Sequence, residues 1–425
     1  MTLTTSARDQ EVKHAGEAIV CTYLGALLQT KSSAACMDTL PVRFPRACVP
    51  CFSHELRCSS VDAKEDTMMV TQQLTCALRR DAQVFCVLSS VFGMIQQKLE
   101  CTERDIYYRN TSLFPGGQHE TRRSTERLCQ WMGGAHLSSS VESSTEKRCY
   151  VREDLHIGAS GKSILTGNVS FDVPARSPGL RKPLVVSANT DAYGILVDTA
   201  MGLRGCNFRD AVGSGGQLSA VVIVEKESTL RTLTVARAAL DSDASVCRSV
   251  FLCSKGYPCR ASRMLLRNLH HELPSIPIVA LVDGDPHGIR IVLTFMGLLG
   301  GNFNHTLRWD ENKCGASDTP ITQLIPIHWA GAHPSTLPHK SVGRAPLTPH
   351  DEGVLTRTVQ RIEEAQLSLR SGEGQYSAYE KADVDIILCS FRDMLREGTW
   401  MRKNSTKCSL QALATNPIDL IRKFL

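Results

Sequence analysis

Between residues 220 and 298 the chain alternates between short apolar runs and longer amphipathic stretches. The spacing predicts strands over 220–224, 249–253 and 276–282, each followed by a helix, at 230–240, 261–270 and 288–298. Short runs of Val and Ile closed by turn residues are the pattern of strands buried on both faces. Strands joined through helices run parallel, which confines this part of the chain to an α/β architecture with a mostly parallel sheet.

The last of these strands ends in Leu281-Val282-Asp283-Gly284-Asp285-Pro286-His287-Gly288, and the first in Val224-Glu225-Lys226-Glu227. In parallel sheets functional groups gather at the carboxyl ends of strands. Glu225, Asp283 and Asp285 are therefore expected to converge, and three carboxylates in one place repel one another unless cations neutralise them. Hard oxygen ligands suit Mg²⁺, and magnesium in such a place means phosphate chemistry. Taken singly, each acid has a plainer alternative as a solvated loop residue. His287 is either a group that orients a metal ligand or an ordinary loop histidine. The pair in Asp241-Ser242-Asp243 follows a helical stretch and is expected to face solvent.

At 425 residues the chain exceeds the usual span of one core, so two or three domains are expected. Residues 14–30 have the pattern of an amphipathic helix that docks on its own protein or on a partner. Helical spacing runs from 67 to about 134, with Val84, Leu88, Val91 and Ile95 as a core-facing stripe. Thr102 has the type and place of an N-cap for a further short helix. Residues 135–150, rich in Ser, read as a loop, and 151–213 as strands and turns. Residues 332–350, rich in Pro, His and Gly, read as a long loop, with helices again over 354–369 and 383–396.

A net charge of +5 permits a nucleic-acid partner without demanding one. No apolar run approaches the ~20 residues of a membrane span, and the segment from Met1 to Lys13 is polar, so neither membrane nor secretion is expected. The 17 cysteines are scattered, mostly inside apolar segments, and read as reduced thiols of an intracellular chain. Cys48, Cys51, His54 and Cys58 have the types of zinc ligands, but their loops are very short and no second CxxC follows. They are either such ligands or ordinary thiols. Gly158-Ala159-Ser160-Gly161-Lys162-Ser163 ends like an ATP-binding loop, yet His156 stands where the first glycine is needed. Any ATP dependence must come from a partner chain.

Four strings carry a narrower likeness: Arg104-Asp105-Ile106-Tyr107-Tyr108, Val224-Glu225-Lys226-Glu227, Lys255-Gly256-Tyr257-Pro258 and Val282-Asp283-Gly284-Asp285-Pro286-His287-Gly288. The acids alone resemble the Toprim domain shared by topoisomerases and primases. In this order the strings resemble the A subunit of type IIB DNA topoisomerase (topoisomerase VI A) and its eukaryotic relative, the meiotic double-strand-break transesterase. The likeness covers residues 67–425, and Trp329-Ala330-Gly331 is similar to a tryptophan-containing segment of that family. It implies an α/β multidomain chain. An N-terminal helix and variable region (1–62) precedes a helical winged-helix-type (5Y-CAP-like) domain (63–150). Connecting strands (151–213) then lead to a Toprim α/β domain with a helical C-terminal part (214–425).

The resemblance makes Tyr108, the second tyrosine after Arg-Asp, the nucleophile. Tyr107 is the alternative that paired tyrosines leave open, and core packing is the plain reading of both. A phenol ionises near ~10, so it needs help to attack as a phenolate. Arg104 either gives that help, steadying phenolate or phosphate charge, or makes an ordinary helix-surface contact. Lys255, Gly256 and Tyr257 become DNA contacts, with a plain turn as the alternative. Cys259 departs from the pattern, standing where relatives carry an acid. The implied reaction leaves a 5′-phosphotyrosine and a 3′-hydroxyl, with Mg²⁺ held by Glu225, Asp283 and Asp285. Implied partners are double-stranded DNA, a second copy of this chain and a B-type topoisomerase subunit within a heterotetramer, all in the nucleus. The helix at 14–30 is a candidate docking element for the B-type subunit. Two other functions are a topoisomerase subunit that relaxes supercoils with an ATPase partner and a catalytically silent DNA-binding scaffold. The intact set Tyr108, Glu225, Asp283 and Asp285 argues against the scaffold.

Overall fold

Val221–Val224 forms one of the inner strands of a six-stranded sheet, in a computed structural model of the chain. The structure describes residues 5–30, 39–40, 72–139, 150–158, 161–167, 169–173, 184–187, 194–197, 207–210, 218–239, 248–299, 324–337, 343–371, 378–412, 417–422 and 424. The cluster Cys48, Cys51, His54 and Cys58 lies outside the described residues. The chain divides into two units, one built from Met1–Ala159 and the other from Ser160–Asn304 with Trp309–Leu425.

In the second unit, Val221–Val224 pairs in parallel with Val250–Cys253 on one side and Ile278–Leu281 on the other, and His328–Trp329 continues the parallel run. Every residue of the three longer strands is buried, as the unbroken Val, Ile and Leu runs require. Ile164–Gly167 pairs antiparallel with Val250–Cys253, and Ile195–Leu196 pairs antiparallel with Ile164–Gly167, closing that edge. Helices Glu227–Ala239, Arg260–Glu272 and Pro286–Met296 follow the three parallel strands, in the predicted alternation. Pairing of Val224 with Leu281 brings the residues that follow both strands to the same end of the sheet. A separate three-stranded sheet has Val169–Val173 between Leu184–Ser187 and Asn207–Asp210. Near the C-terminus the long helices Pro349–Ser371 and Ala378–Asn404 lie in sequence between the strands of a short antiparallel pair, Arg344–Pro346 with Thr406–Cys408. The segment expected as one long loop thus contributes a strand.

The first unit is mainly helical: Thr5–Thr30, Leu74–Gln97, Glu103–Arg109 and Gln118–Ser139. The predicted stripe Val84, Leu88, Val91 and Ile95 is buried, joined by Leu128, Trp131 and Met132. The N-terminal helix starts at Thr5, earlier than its apolar pattern indicates, and buries Val12, Ala15 and Ile19 in this same core. Gly16 lies so close to Leu88 and Phe92 that a side chain there would collide with both. The part of that apolar face formed by Val12, Ala15 and Ile19 is therefore occupied by its own unit. The loop expected from 135 begins later, because the helix runs through Gly133 and Gly134 to Ser139.

Candidate active site

Glu225 directly follows Val224, and its backbone N–H donates to Leu281 O at 3.1 Å, extending the parallel pairing by one bond. Its carboxylate turns toward the neighbouring strand end, where Oε2 accepts from the Asp283 N–H at 2.9 Å. Asp285 is the N-cap of Pro286–Met296, with Pro286 in the first turn, and its Oδ1 accepts from Gly288 N–H at 2.6 Å. Gly284 and Gly288 are demanded by crowding. A Cβ at 288 would strike Asp283 O, and one at 284 would strike Ala332 O and the Cys408 thiol.

Asp283 is 8% exposed and has both carboxylate oxygens engaged. Oδ1 accepts from Leu410 N–H at 2.9 Å, and Oδ2 lies 2.6 Å from the Lys226 ammonium. Lys226 also donates to Gln411 Oε1 at 3.0 Å. Burial, reinforced by the negative charges of Asp283 and Asp285, pushes the Glu225 carboxyl up to about 7. Burial raises the Asp285 carboxyl as well. Two acids kept from ionising by burial and by their negative neighbours fit a divalent cation, and Glu225 and Asp285 each have one oxygen left by these bonds to offer it. Among the described residues, however, no three His, Cys, Asp or Glu side chains close into a ready-made ion cage. The reason is visible: Asp283 is turned to Lys226 and Leu410, and Asp285 to the helix it caps.

The Lys255-Gly256-Tyr257-Pro258 string is a turn with left-handed backbone at Lys255 (φ 51°) and Gly256 (φ 88°). Gly256 N–H donates to Glu225 O at 3.0 Å, which ties this turn to the acid end of the sheet. Lys255 is paired with Glu227 at 3.0 Å. The Tyr257 hydroxyl lies 2.8 Å from His287 Nδ1, whose other ring nitrogen is 3.7 Å from Asp351. Asp351 in turn holds Lys407 at 2.7 Å. Burial raises the Cys259 thiol, but hydrogen bonds from Ser262, Lys162 N–H and Ser163 outweigh it and bring the thiol down to about 7.

In the first unit, Thr102 caps Glu103–Arg109 as the sequence predicts, through a reciprocal box with Asp105. Ile106 is buried and Tyr107 packs on the core, whereas Tyr108 is 71% exposed. The two rings are 5.2 Å apart, with Tyr107 partly buried and Tyr108 the more exposed of the pair. Arg104 sits four residues before Tyr108, on the same face of the helix, and its Nε donates to Gln118 Oε1 at 3.3 Å.

The structure thus brings Glu225, Asp283, Asp285, Lys255, Gly256 and Tyr257 to one end of the second unit's sheet, and places Arg104 and Tyr108 together on the first unit. Sequence reasoning missed Lys226, Leu410 and Gln411. Lys226 was signalled by standing between two acids in Val224-Glu225-Lys226-Glu227. Leu410 acts through its backbone N–H from 127 residues away, and no side-chain pattern announces that.

Comparison with known proteins gives two family matches. One is the Toprim domain of the topoisomerase 6 A-subunit/Spo11 family, over residues 220–425, and the other is "Type IIB DNA topoisomerase", over 79–134. The A3 subunit of DNA topoisomerase 6 from Oryza sativa subsp. indica is 26% identical over 62% of this chain and 49% of its own length. Meiotic recombination protein SPO11 of Mus musculus is 26% identical over 74% of this chain and 70% of its own. Meiotic recombination protein spo-11 of Caenorhabditis elegans is 24% identical over 81% of this chain and 64% of its own. The chain therefore spans about half the length of the rice protein and about two thirds of the animal ones. No helix among the described residues is long and apolar enough to cross a membrane.

Proposed function

Since the chain carries the Toprim domain of the topoisomerase 6 A-subunit/Spo11 family together with a type IIB DNA topoisomerase domain, we propose that it is a DNA transesterase that makes meiotic double-strand breaks, initiating recombination. The observation that carries this is that one chain holds both an exposed tyrosine on a capped helix and, in its other unit, three acids at adjacent strand ends of a Toprim sheet. The first unit then serves as the winged-helix-type, tyrosine-bearing domain. Likeness to the mouse and nematode meiotic proteins supports the meiotic role and a place in the nucleus.

Tyr108 Oη attacks a backbone phosphorus, forming the P–O(Tyr) bond as the P–O3′ bond breaks. The phenolic proton leaves to solvent or a base, and the departing 3′-oxygen takes up a proton to become a hydroxyl. Arg104, one helical turn before Tyr108, supplies positive charge for the phenolate and the phosphoryl oxygens. Lys255 holds a phosphate and Tyr257 a sugar or base face, with the Gly256 turn admitting the backbone closely. Glu225, Asp283 and Asp285 would hold Mg²⁺, which when bound supplies charge stabilisation for the phosphoryl and 3′-oxygens. The tyrosine of one protomer works with the acids of its partner, so a dimer cuts both strands, within a heterotetramer with a B-type subunit.

The match to the A3 subunit of topoisomerase 6 keeps a second function in view: the A subunit of an ATP-dependent topoisomerase that relaxes supercoils, the ATP site lying in the B-type subunit. Incubation with a B-type partner, supercoiled plasmid and Mg²⁺, stopped with detergent, separates the two. Linear DNA with protein on its 5′ ends and extendable 3′-hydroxyls is the expected product without ATP. Relaxed circles appearing only with ATP would favour the topoisomerase function, and protein joined to 3′ ends would refute the chemistry.

A further inference from the structure

The acid cluster already contains a cation. The Lys226 ammonium, on a side chain 31% exposed, lies 2.6 Å from Oδ2 of the buried Asp283. An ion pair with one partner this buried is far less screened than a surface pair. The other oxygen of Asp283 is held by the Leu410 N–H in a buried hydrogen bond. A divalent ion drawn to Glu225, Asp283 and Asp285 must take one of these two oxygens. Taking Oδ1 would strand a buried amide, which is costly. Taking Oδ2 strands nothing, because the ammonium sits on a flexible four-carbon stem and Gln411 Oε1 already receives it at 3.0 Å.

Resting on the view that these acids hold a divalent cation, we propose that Lys226 is the resident counter-ion of the site. It occupies Asp283 Oδ2 until the incoming ion displaces it onto Gln411, and so sets the affinity for that ion and the discrimination against monovalent ions. Once all three carboxylates are ionised, they and the one ammonium leave two negative charges, a balance that a singly charged ion cannot meet. After the exchange, the displaced ammonium remains beside the site as a positive group for an anionic phosphate.

Mg²⁺ titration of the full chain without DNA, followed by tryptophan fluorescence and by thermal shift, tests this. Lys226→Met is expected to bind Mg²⁺ about five- to tenfold more tightly than wild type. Gln411→Leu, which removes the receiving oxygen, is expected to bind it more weakly. A purely structural salt bridge would not produce these opposite shifts. Equal or weaker binding by Lys226→Met overturns the proposal. Should that variant fail to fold, unchanged affinity in Gln411→Leu overturns it instead. Asp283→Asn separates the two levels. If it leaves the wild-type Mg²⁺ response intact, the metal site itself is wrong. If it abolishes the response while Lys226→Met matches wild type, only the role of Lys226 falls.

Discussion

Gly288 sits where a single methyl group has no room: its Cβ would run into the carbonyl oxygen of Asp283. Gly288→Ala should lower the free energy of unfolding by about 1–3 kcal/mol, measured by urea denaturation, and loosen the cap made by Asp285. Glu225 provides a prediction with a pH signature. Its folded carboxyl is raised from 4.5 to about 7, so the protein is stabilised by the neutral acid. That contribution is complete below the unfolded value and is lost as pH rises through about 7. In chelator at pH 8, Glu225→Gln should therefore melt about 3 °C above wild type, and the gap should shrink as pH falls and close only below the unfolded value of 4.5. Added Mg²⁺ should raise the melting temperature of wild type only. A variant melting below wild type at pH 8 would contradict the burial account.

Among the elements, Glu103–Arg109 is too short to persist alone, with seven residues. It is held by the Thr102–Asp105 box, by Ile106 in the core and by pairing of Cys101–Thr102 with Ile157–Gly158. Asp105→Ala should cost about 1 kcal/mol of stability, read by denaturation, and should lower the yield of covalent DNA adduct. The turn at Lys255 is restrained by Glu227. Glu227→Gln should tighten DNA binding about two- to threefold at low salt, an advantage that fades in high salt, as read by fluorescence anisotropy. The strand–helix alternation after Ala220 was legible because periodicity of 2 and 3.6 is local information. That Ile164–Gly167 joins the same sheet was not, since an antiparallel pairing with Val250–Cys253 leaves no mark in either segment. The N-terminal helix was legible in type but not in fate: an amphipathic face looks the same whether it meets its own core or a partner.

For the whole molecule, the acids were legible because strand ends are where a parallel sheet puts its chemistry, and Glu225 and Asp283 do meet there. The electrostatic setting was not, because Lys226, Leu410 and Gln411 act through distance-dependent bonds that only the folded chain brings about. The proposed reaction needs the tyrosine-bearing unit of one copy and the acid-bearing unit of another. Mixing Tyr108→Phe with Asp283→Ala chains should therefore restore cleavage of one strand, giving nicks, where either variant alone gives nothing. The central claim is that Tyr108 is the nucleophile, and covalent trapping on DNA with Mg²⁺ tests it most directly. Tyr108→Phe should abolish the adduct while melting with wild type, its side chain being largely exposed, and Tyr107→Phe should retain it. An adduct that survives Tyr108→Phe would contradict the account.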